Sequence, residues 1–509
     1  MKREILIELG IEGLPYNLYD VAVNSLFESV RRRLKDYKIQ FKDLKINYSK
    51  NRILINFYFL DSEYNKGDIV NFVKNTIEKV FIPIRGLKRS NRLGDYILWV
   101  QGVIDQQSLD FSNLEFHRDT KVPFYKMKDT KSYREELSDN NIIFENKKRK
   151  EYFLQKSNKL AKEHGGEIHH VDYLIEKFIA EFNLPHPIVG DFNKELLEFP
   201  KELVISILID ICNVVPLFTD RGQLMPYYIY CIEKVQKEDE EFQKNKLKTI
   251  NDKLSEILSE WKLVLNRDYE IYSERMKETK LPERVGTLFD KSKRLMDLSV
   301  IIGDYLLVGD ETKDNVKEAA EISKFDLTTK IVIDYPQLKG VIGFLYSKNK
   351  GNNDIISTAI KSHYKPKYFH DTMPSTTTGK ILSLADKLDE ITNWFIYSKL
   401  NDSTSEYQTS EIRRYASGII KLIIQNKWSL NISTLIDDNL YLYIKNGNMV
   451  LDTPELKTEI YNFIISKFRE DVVKNYNDYC KLDMLLGKNP NNILETYEKL
   501  SEGDTDERE

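Results

Sequence analysis

The sequence has few cysteines and few glycines for its length. Three of its 509 residues are cysteine, Cys212, Cys231 and Cys480, and no two of them form a CxxC pair. This spacing excludes a cysteine-based structural zinc site and fits a reducing compartment. The 21 glycines include no closely spaced set of the kind that cradles phosphate groups, so the sequence predicts no P-loop.

The sequence also lacks an excess of positive charge and a long apolar run. Its formal net charge is −4, so RNA binding would need local basic patches. The longest apolar stretch, residues 203–215, is interrupted by Asp210, and the apolar run at the N-terminus is too short for a signal peptide. We therefore expect a cytoplasmic protein that does not engage a membrane.

Sequence words of known nucleotide and acyl-transfer chemistry are absent. Residues 126–132 (KMKDTKS) only faintly resemble the class I synthetase loop KMSKS, and the HIGH word that accompanies that loop is missing. A class II synthetase signature and a nucleophile elbow are missing too. The sequence accordingly predicts no catalytic residue in this chain, and no metal ion or other cofactor bound by it.

Apolar periodicity predicts a mixed α+β, multidomain fold. Strands are expected at 5–9, 53–60 and 96–104, with helices at 18–34 and 69–81 between them. They form an N-terminal α/β domain, which precedes a central α+β region and a predominantly helical part. The predicted segments are 1–115, 116–232, a long amphipathic helix at 233–280, 281–400, 401–500 with a polar loop at 401–409, and a disordered acidic tail at 501–509.

Residues 281–395 are the most informative stretch. Apolar residues such as Leu288, Leu295 and Leu298 recur there at helical spacing, which predicts a cluster of helices. Polar residues repeat inside the apolar faces and predict a polar core. This predicted polar core comprises Asp290, Lys324, Asp326, His363, Asp386, Lys387 and Asp389.

Five short words in this stretch resemble, in the same order, words of the β subunit of the two-subunit bacterial glycyl-tRNA synthetase. The matching residues are Gly286, Thr287, Leu288, Asp290, Lys291 and Arg294; Lys324, Asp326, Leu327 and Thr329; Gly340, Val341, Gly343 and Tyr346; His363, Tyr364 and Pro366; and Ala385, Asp386, Lys387 and Asp389. The opening LIELGIEGLP resembles the start of that family. The resemblance covers most of positions 1–490 and is strongest at 281–395.

The resemblance implies that residues 281–400 form a degenerate HD-like helical domain. True HD phosphohydrolases use adjacent His and Asp residues to hold metal ions that activate water. The corresponding pair here is Phe325-Asp326, and phenylalanine cannot bind a metal, which disfavours phosphohydrolase activity. A metal site at His370-Asp371, or at His164, His169 and His170, is also disfavoured, because metal sites need several convergent ligands.

The resemblance also implies tRNA binding, for which basic residues are the natural phosphate contacts. The candidates are Arg85, Lys88, Arg89, Lys147, Lys148, Arg149, Lys150, Lys291, Arg294, Arg413 and Arg414. A solvated basic surface explains such charge runs as well.

Two functions therefore stay open. The first is a β-type subunit that binds tRNA and assists glycine attachment by a separate α subunit, which would supply the ATP and Mg²⁺ chemistry. The second is a non-catalytic paralogue that binds RNA or protein as a regulator or scaffold. Ser255 and Ile257 stand where the family carries arginines, and this loss favours the second function.

Overall fold

The computed structural model describes residues 3–15, 18–59, 66–77, 80, 92–104, 106–111, 122, 124–169, 172–234, 239–281, 285–366, 371–401, 406–447, 451–472, 476–488 and 491–502. The chain divides into two compact units, residues 1–255 and 256–509. Both sheets lie in the first unit and the second is built from helices, which confirms the predicted mixed α+β fold class. The division into the six predicted segments stays a prediction.

The first unit begins with a five-stranded antiparallel sheet of order β2-β3-β1-β4-β5. The strands of this sheet and the helices that accompany it are β1 (Arg3–Ile11), α1 (Tyr19–Asp36), β2 (Phe41–Ser49), β3 (Arg52–Phe59), α2 (Lys66–Ile77), β4 (Ile97–Ile104), β5 (Gln107–Ser108) and α3 (Thr130–Asp139). Side chains alternate across a strand, so Ile5 and Ile7 of β1 pack in one core with α1 and α2. Leu6 faces the opposite side, in a second core with Tyr133 and Leu137 of α3.

A four-stranded antiparallel sheet of order β6-β8-β9-β7 completes the first unit. The elements are α4 (Asn146–Glu163), β6 (Glu167–Ile168), α5 (Asp172–Glu181), β7 (Pro185–Asp191), α6 (Lys201–Ser206), β8 (Val215–Phe218), β9 (Leu224–Glu233) and α7 (Glu240–Leu265), which continues into the second unit. Phe153 of α4 and Phe178 of α5 pack on this sheet with Val215 and Ile229. The packing orients α4 with one face inward and the other toward solvent.

The second unit is a bundle organised around one long helix. Its helices are α8 (Tyr269–Glu278), α9 (Leu288–Tyr305), α10 (Asp310–Ile322), α11 (Lys330–Asp334), α12 (Val341–Asn349), α13 (Asp354–Ser362), α14 (Thr377–Asn401), α15 (Glu406–Gln425), α16 (Ile432–Gly447), α17 (Thr453–Val472), α18 (Tyr476–Lys488) and α19 (Ile493–Glu502). Helix α14 contacts α9, α10, α13, α15, α16 and α17. It therefore lies in the middle of the bundle, and a charged side chain on its buried stretch must find its partners within the protein.

Three elements differ from the sequence predictions. Strand β2 was not expected, because its exposed Lys42 and Lys45 mask the alternating pattern of a strand. The polar loop predicted at 401–409 is too long, because α15 already begins at Glu406. Helix α19 was not predicted either, and it reaches Glu502, within the predicted tail; residues 503–509 lie outside the described residues. Among the described residues, no helix is long and apolar enough to span a bilayer.

Candidate functional site in the helical unit

The candidate site lies on α14, where residues 381–389 are all buried. A helix that is buried on every side normally carries apolar residues, yet this stretch contains Asp386, Lys387 and Asp389. An isolated buried charge is costly, so each of these groups requires partners on the surrounding helices. Those partners come from α9, α13, α16 and the residue Lys324 that follows α10.

Asp389 is held by two basic side chains of α9. The Oδ1 atom of Asp389 accepts a hydrogen bond from Arg294 Nε at 2.8 Å, and Oδ2 accepts from Arg294 Nη2 at 3.2 Å and Lys291 Nζ at 3.1 Å. The Tyr443 ring of α16 stacks under the guanidinium, 3.9 Å from Arg294 Cζ to the ring centre. The bidentate pair and the stacked ring fix α9 and α16 on α14.

Asp386, one turn earlier, lies between two ammonium groups. Its Oδ2 accepts a hydrogen bond from Lys324 Nζ at 2.8 Å, and its Oδ1 lies 3.3 Å from Lys291 Nζ. Lys291 Nζ also lies 2.9 Å from Glu390 Oε1. The two carboxylate oxygens of Asp386 thus each face a different cation.

His363, at the end of α13, completes this arrangement. Its Nδ1 lies 2.7 Å from the carbonyl oxygen of Ile360, and its Nε2 lies 2.8 Å from Lys324 Nζ. A carbonyl oxygen only accepts, so Nδ1 carries the hydrogen and Nε2 offers its lone pair to the ammonium. Burial, with Lys324 beside the ring, lowers the pKa of His363 well below its usual value, so the ring is neutral near pH 7.

The two lysines differ in their electrostatic surroundings. Burial acts to lower the pKa of Lys291, but Glu390, Asp389 and Asp386 together raise it well above its usual value. Burial also lowers the pKa of Lys324, and Asp386 only partly offsets that effect. The pKa of Asp386 itself is lowered, because the attraction of Lys324 and Lys291 outweighs the burial that would raise it.

These eight residues form one connected set, which we call the ionic network: Lys291, Arg294, Lys324, His363, Asp386, Asp389, Glu390 and Tyr443. All of them are buried except Glu390, whose side chain is 31% exposed. The three carboxylates are matched by three basic side chains. Chemically, the network can hold helices together, because its charged groups are paired with one another.

Asp326 belongs to a separate arrangement at the start of α12. Its Oδ2 accepts a hydrogen bond from the backbone N–H of Gly340 at 2.6 Å. Gly340 has a φ of 80°, a conformation that favours glycine, and an added Cβ would lie 3.1 Å from the carbonyl oxygen of Lys361. Burial raises the pKa of Asp326 to about 6. This carboxyl therefore caps α12, while Lys324 two residues earlier turns toward the ionic network.

Phe325 occupies the position where an HD pair would carry its histidine. Its ring is fully buried and lies 4.7 Å from the ring of Tyr346 and 5.0 Å from that of Tyr272, centre to centre. The side chain therefore contributes to an aromatic core. Within the part of the chain that the structure describes, no group of three or more His, Cys, Asp or Glu side chains is arranged to hold a metal ion.

Lys387 is the one buried ammonium of α14, and it is bound by neutral groups. Its Nζ donates to the carbonyl oxygens of His363 and Lys365 at 3.2 and 3.0 Å and to Ser383 Oγ at 2.8 Å. Gly418 of α15 makes room for it, because an added Cβ there would lie 2.5 Å from Lys387 Cε. Burial lowers the pKa of Lys387 to about 7 from its usual 10.5.

Replacing Lys387 with methionine is expected to flatten the pH dependence of stability above neutrality. Between pH 7 and 10.5 the unfolded chain binds more protons at this site than the folded chain. The free energy of unfolding of the parent therefore rises with pH, by up to about 1.4 kcal/mol per pH unit for one proton. Urea unfolding from pH 7 to 9.5 should show this extra slope in the parent and not in Lys387→Met. Equal slopes would contradict the lowered pKa.

Comparison with known proteins places the chain in a family. A family model described as glycyl-tRNA synthetase beta subunit matches residues 99–484, which include the whole ionic network. The chain belongs to the glycyl-tRNA synthetase beta subunit family. This confirms the resemblance found in the sequence words.

Individual relatives support the same assignment. The chain is 30% identical over 529 residues to the glycine–tRNA ligase beta subunit of Oceanobacillus iheyensis, covering 89% of this chain and 75% of that protein. It is 28% identical over 458 residues to the beta subunit of Clostridioides difficile, covering 86% and 64%, and 28% identical over 371 residues to that of Syntrophomonas wolfei, covering 71% and 52%. The chain thus spans under two thirds of the length of two of these relatives.

The basic residues that were candidates for tRNA contact in this family member lie in different environments. Lys147 and Lys148 on α4 project into solvent, with 88% and 64% of their side chains exposed. Lys150 is 35% exposed and pairs with Glu176 at 2.5 Å. The side chains of Lys147 and Lys148 are therefore open to solvent, whereas Lys150 is paired with Glu176, and a contact of these lysines with RNA stays a prediction. Arg85, Lys88 and Arg89 lie outside the described residues.

Three of the candidates are inside the protein, which corrects their expected role. Arg149 is fully buried, and its guanidinium donates to backbone carbonyl oxygens, including those of Phe144 at 2.9 Å and Ile179 at 2.9 Å. Lys291 and Arg294 are committed to Asp389 in the ionic network. A side chain whose donors are all directed into the interior cannot contact an RNA phosphate from that position.

The remaining predicted site residues, Arg413, Arg414 and Asp290, also lie in different environments. Arg413 is partly buried and pairs with Glu470, whereas Arg414 is exposed. Asp290 was expected in the polar core, but it forms the capping box of α9 with Thr287, whose backbone N–H donates to Asp290 Oδ2 at 2.9 Å. The structure joins Lys324, His363, Asp386 and Asp389, with Lys387 beside them.

Sequence reasoning missed two members of the network and a second buried ion pair. Glu390 and Tyr443 carry no family word, and Tyr443 is 149 residues from its partner Arg294. In the first unit, Arg52 of β3 pairs with Glu8 of β1 at 2.5 Å, and both are buried. Glu8 lies opposite Leu54 and Arg52 lies opposite Gly10, so the two side chains are diagonal neighbours, and this second pair becomes apparent only once the pairing of β1 with β3 is known.

Proposed function

We propose that the chain acts as a β-type subunit of glycyl-tRNA synthetase, which binds tRNA and assists glycine attachment by a separate α subunit. The observation that carries this proposal is the family match over residues 99–484, supported by relatives named glycine–tRNA ligase beta subunit. The ionic network is consistent with a structural part in such an assembly, because its charged groups are committed to one another.

The outer face of α4 is the proposed tRNA contact surface. Lys148, Lys159 and Lys162 are spaced so that they share one side of the helix, and Lys147 lies near them. All four are exposed, and they extend over roughly 22 Å at a rise of about 1.5 Å per residue. Glu145, Glu151 and Glu163 lie close to three of these lysines and partly offset their charge. We therefore expect weak, salt-sensitive binding to phosphates.

The α subunit is the proposed source of the activation chemistry. ATP and Mg²⁺ would be bound there, since this sequence carries none of the known ATP-binding words. The β-type chain would contribute by holding the tRNA in place for the transfer step, which lowers the entropic cost of bringing the reactants together. The cytoplasmic location predicted from the sequence belongs to the same proposal.

Combining the chain with the α subunit of the same organism is expected to give glycine attachment to tRNA, which neither protein supports alone. Glycine-dependent exchange between ATP and pyrophosphate should be absent with this chain alone. Aminoacylation should be measured with each protein separately and with the mixture. Exchange by the β-type chain alone would contradict the division of labour.

If the mixture gives no glycylation but the chain still binds tRNA, the proposed activity is wrong. The regulator or scaffold interpretation would then be favoured. A pull-down of the α subunit by this chain separates the two outcomes, since a β-type subunit must bind it. A titration of labelled tRNA into the chain tests the RNA part independently.

A further inference from the structure

A cavity in the first unit collects polar side chains that the fold itself leaves unused. Its volume is about 370 Å³, and its lining includes Lys50, Asn51, Tyr125, Asn183 and Glu233. Among the residues that the structure describes, neither the ammonium of Lys50 nor the side-chain amide of Asn51 has a hydrogen-bond or ion-pair partner, and the buried Oδ1 of Asn183 has none either. Buried polar atoms are nearly always paired. The unpaired oxygen of Asn183, next to two further unused polar groups, therefore points to a ligand.

The loop that carries Lys50 and Asn51 is held in one conformation. It is a two-residue connection between β2 and β3. Asn51 has a φ of 62°, a conformation that asparagine tolerates better than most residues. Its backbone N–H donates to the hydroxyl of Tyr19 at 3.2 Å, and its carbonyl oxygen accepts from the N–H of Ile11 at 2.9 Å. A fixed backbone therefore positions the two side chains at the cavity.

Tyr125 is the aromatic residue of the lining. The guanidinium of Arg52, which pairs with the buried Glu8 at 2.5 Å, lies 5.1 Å from the centre of the Tyr125 ring. The apolar side chains of Val122 and Ile142 line the same cavity. Proteins that bind single-stranded RNA stack unpaired bases on aromatic rings in apolar surroundings of this kind.

The charged residues of the lining match the parts of a nucleotide. The carboxylate of Glu233 accepts hydrogen bonds from the backbone N–H groups of Asn183 and Leu184 at 3.2 and 2.8 Å, which fix its position. Burial raises the pKa of Glu233, and the charge of Lys50 acts in the opposite direction, so the two groups lie within electrostatic reach of each other. A phosphate would suit the ammonium. Adenine, cytosine and guanine each carry an amino group that can donate to the carboxylate.

The strand that leads to the cavity also contacts the start of α4. The backbone N–H of Tyr48, two residues before Lys50, donates to Asn146 Oδ1 at 3.2 Å. Asn146 is the first residue of α4, and the exposed Lys147 and Lys148 follow it directly. The proposed tRNA contact surface and the cavity are therefore connected through β2.

We propose that this cavity binds one unpaired nucleotide of an RNA that lies along the outer face of α4. The base packs against Tyr125, and its edge meets the amides of Asn51 and Asn183. The carboxylate of Glu233 accepts from the amino group of the base, while Lys50 neutralises a phosphate. A volume of about 370 Å³ lies at the small end of ligand sites, which suits a single nucleotide. The inference rests on the proposed tRNA binding and adds which part of the RNA the first unit holds.

Fluorescently labelled cytidine and uridine hexamers, titrated into the full chain at low salt, test the proposal. The cytidine hexamer is expected to bind on the order of tenfold more tightly, because uracil has no amino group for Glu233. Asn51→Gly, which keeps the positive φ, and Asn183→Leu should each weaken binding of the cytidine hexamer by about two- to tenfold. Lys50→Gln should lower the slope of log K against log salt by about 0.7. The control Lys45→Gln, at an exposed lysine of β2 outside the cavity, should change neither quantity.

Photochemical cross-linking tests the position of the base in the parent chain. A cytidine hexamer that carries one iodinated cytidine should cross-link to Tyr125 under ultraviolet light, and mass spectrometry would identify the modified residue. This measurement needs no variant, so it remains decisive if a substitution disturbs the fold. Cross-links formed only outside the cavity would overturn the proposal. Equal affinities for the two hexamers, or an Asn51→Gly, Asn183→Leu double variant that binds like the parent, would overturn it as well.

Two further measurements separate this inference from the proposed function and from another ligand. If tRNA binds equally to the parent and to the double variant, the cavity assignment fails and the α4 surface stands. If the cytidine hexamer cross-links to Tyr125 but the mixture with the α subunit gives no glycylation, the cavity assignment stands and the proposed activity fails. The two signs of charge would also suit a free amino acid, so the parent should be titrated with glycine by calorimetry. Glycine binding that is lost in Asn51→Gly would overturn the nucleotide assignment.

Discussion

Replacement of Asp389 by alanine is expected to lower the free energy of unfolding by about 3–5 kcal/mol, the usual cost of breaking a buried ion pair by removing one partner. The carboxylate neutralises Arg294 and shares Lys291, and it is fully buried. Without it, the guanidinium of Arg294 keeps only Tyr443 among the partners described above. The pKa of Asp389 is held below its usual value because Arg294 and Lys291 outweigh the effect of burial, so the group is charged at neutral pH.

Unfolding by urea, followed by tryptophan fluorescence, would measure this loss. Three of the four tryptophans, Trp261, Trp394 and Trp428, lie in the helical unit, so the signal reports mainly on that unit. Asp437→Ala is the matched control, since Asp437 pairs with Lys457 on the surface. Such exposed pairs contribute roughly 0.2–1 kcal/mol. Similar losses in the two variants would contradict a stabilising role for the network.

The helical part of the fold was accessible from the sequence because apolar periodicity marks helices whether or not their partners are known. The words at 281–395 also identified Lys324, His363, Asp386 and Asp389 as residues of one polar core. Lys291 also belongs to the polar residues that repeat inside these apolar faces, but the sequence did not reveal that Lys291 and Arg294 pair with Asp389. Their partner Asp389 is more than ninety positions away in the sequence. The identity of a charged residue does not by itself show whether its side chain is exposed or is paired in a core.

The basic run at 147–150 contains one residue, Arg149, whose spacing along the helix predicts that it is buried. Arg149, Phe153, Ser157 and Ala161 repeat every four residues and form the buried face of α4. The arginine at the start of this series belongs with the apolar face, whereas its neighbours point to solvent. Helical phase therefore predicts which member of a basic run is internal, and composition alone does not.

Because Arg149 is buried and its neighbouring lysines are exposed, we expect a large loss of stability when Arg149 is replaced. Arg149→Ala should lower the free energy of unfolding of the first unit by about 3–5 kcal/mol, because several buried carbonyl oxygens each lose a donor at about 1–3 kcal/mol apiece. The guanidinium reaches Tyr48 on β2, Ile143 before α4 and Ile179 on α5, and so joins three segments. Arg149→Lys should recover little, since an ammonium cannot reproduce the planar set of five donors.

The neighbouring lysines should behave in the opposite way. A Lys147→Gln, Lys148→Gln variant should unfold like the parent, yet bind tRNA more weakly and with a smaller salt dependence. Each lysine that neutralises a phosphate contributes about 0.7–0.9 to the slope of log K against log salt, so the slope should fall by up to about two. Urea unfolding and tRNA titration at several salt concentrations would be measured on both variants. The assignment of the two faces of α4 would be wrong if Arg149→Ala left the stability unchanged but weakened tRNA binding. It would also be wrong if the Lys147→Gln, Lys148→Gln variant changed only the stability. In either case burial would not separate the structural residue from the RNA-binding ones.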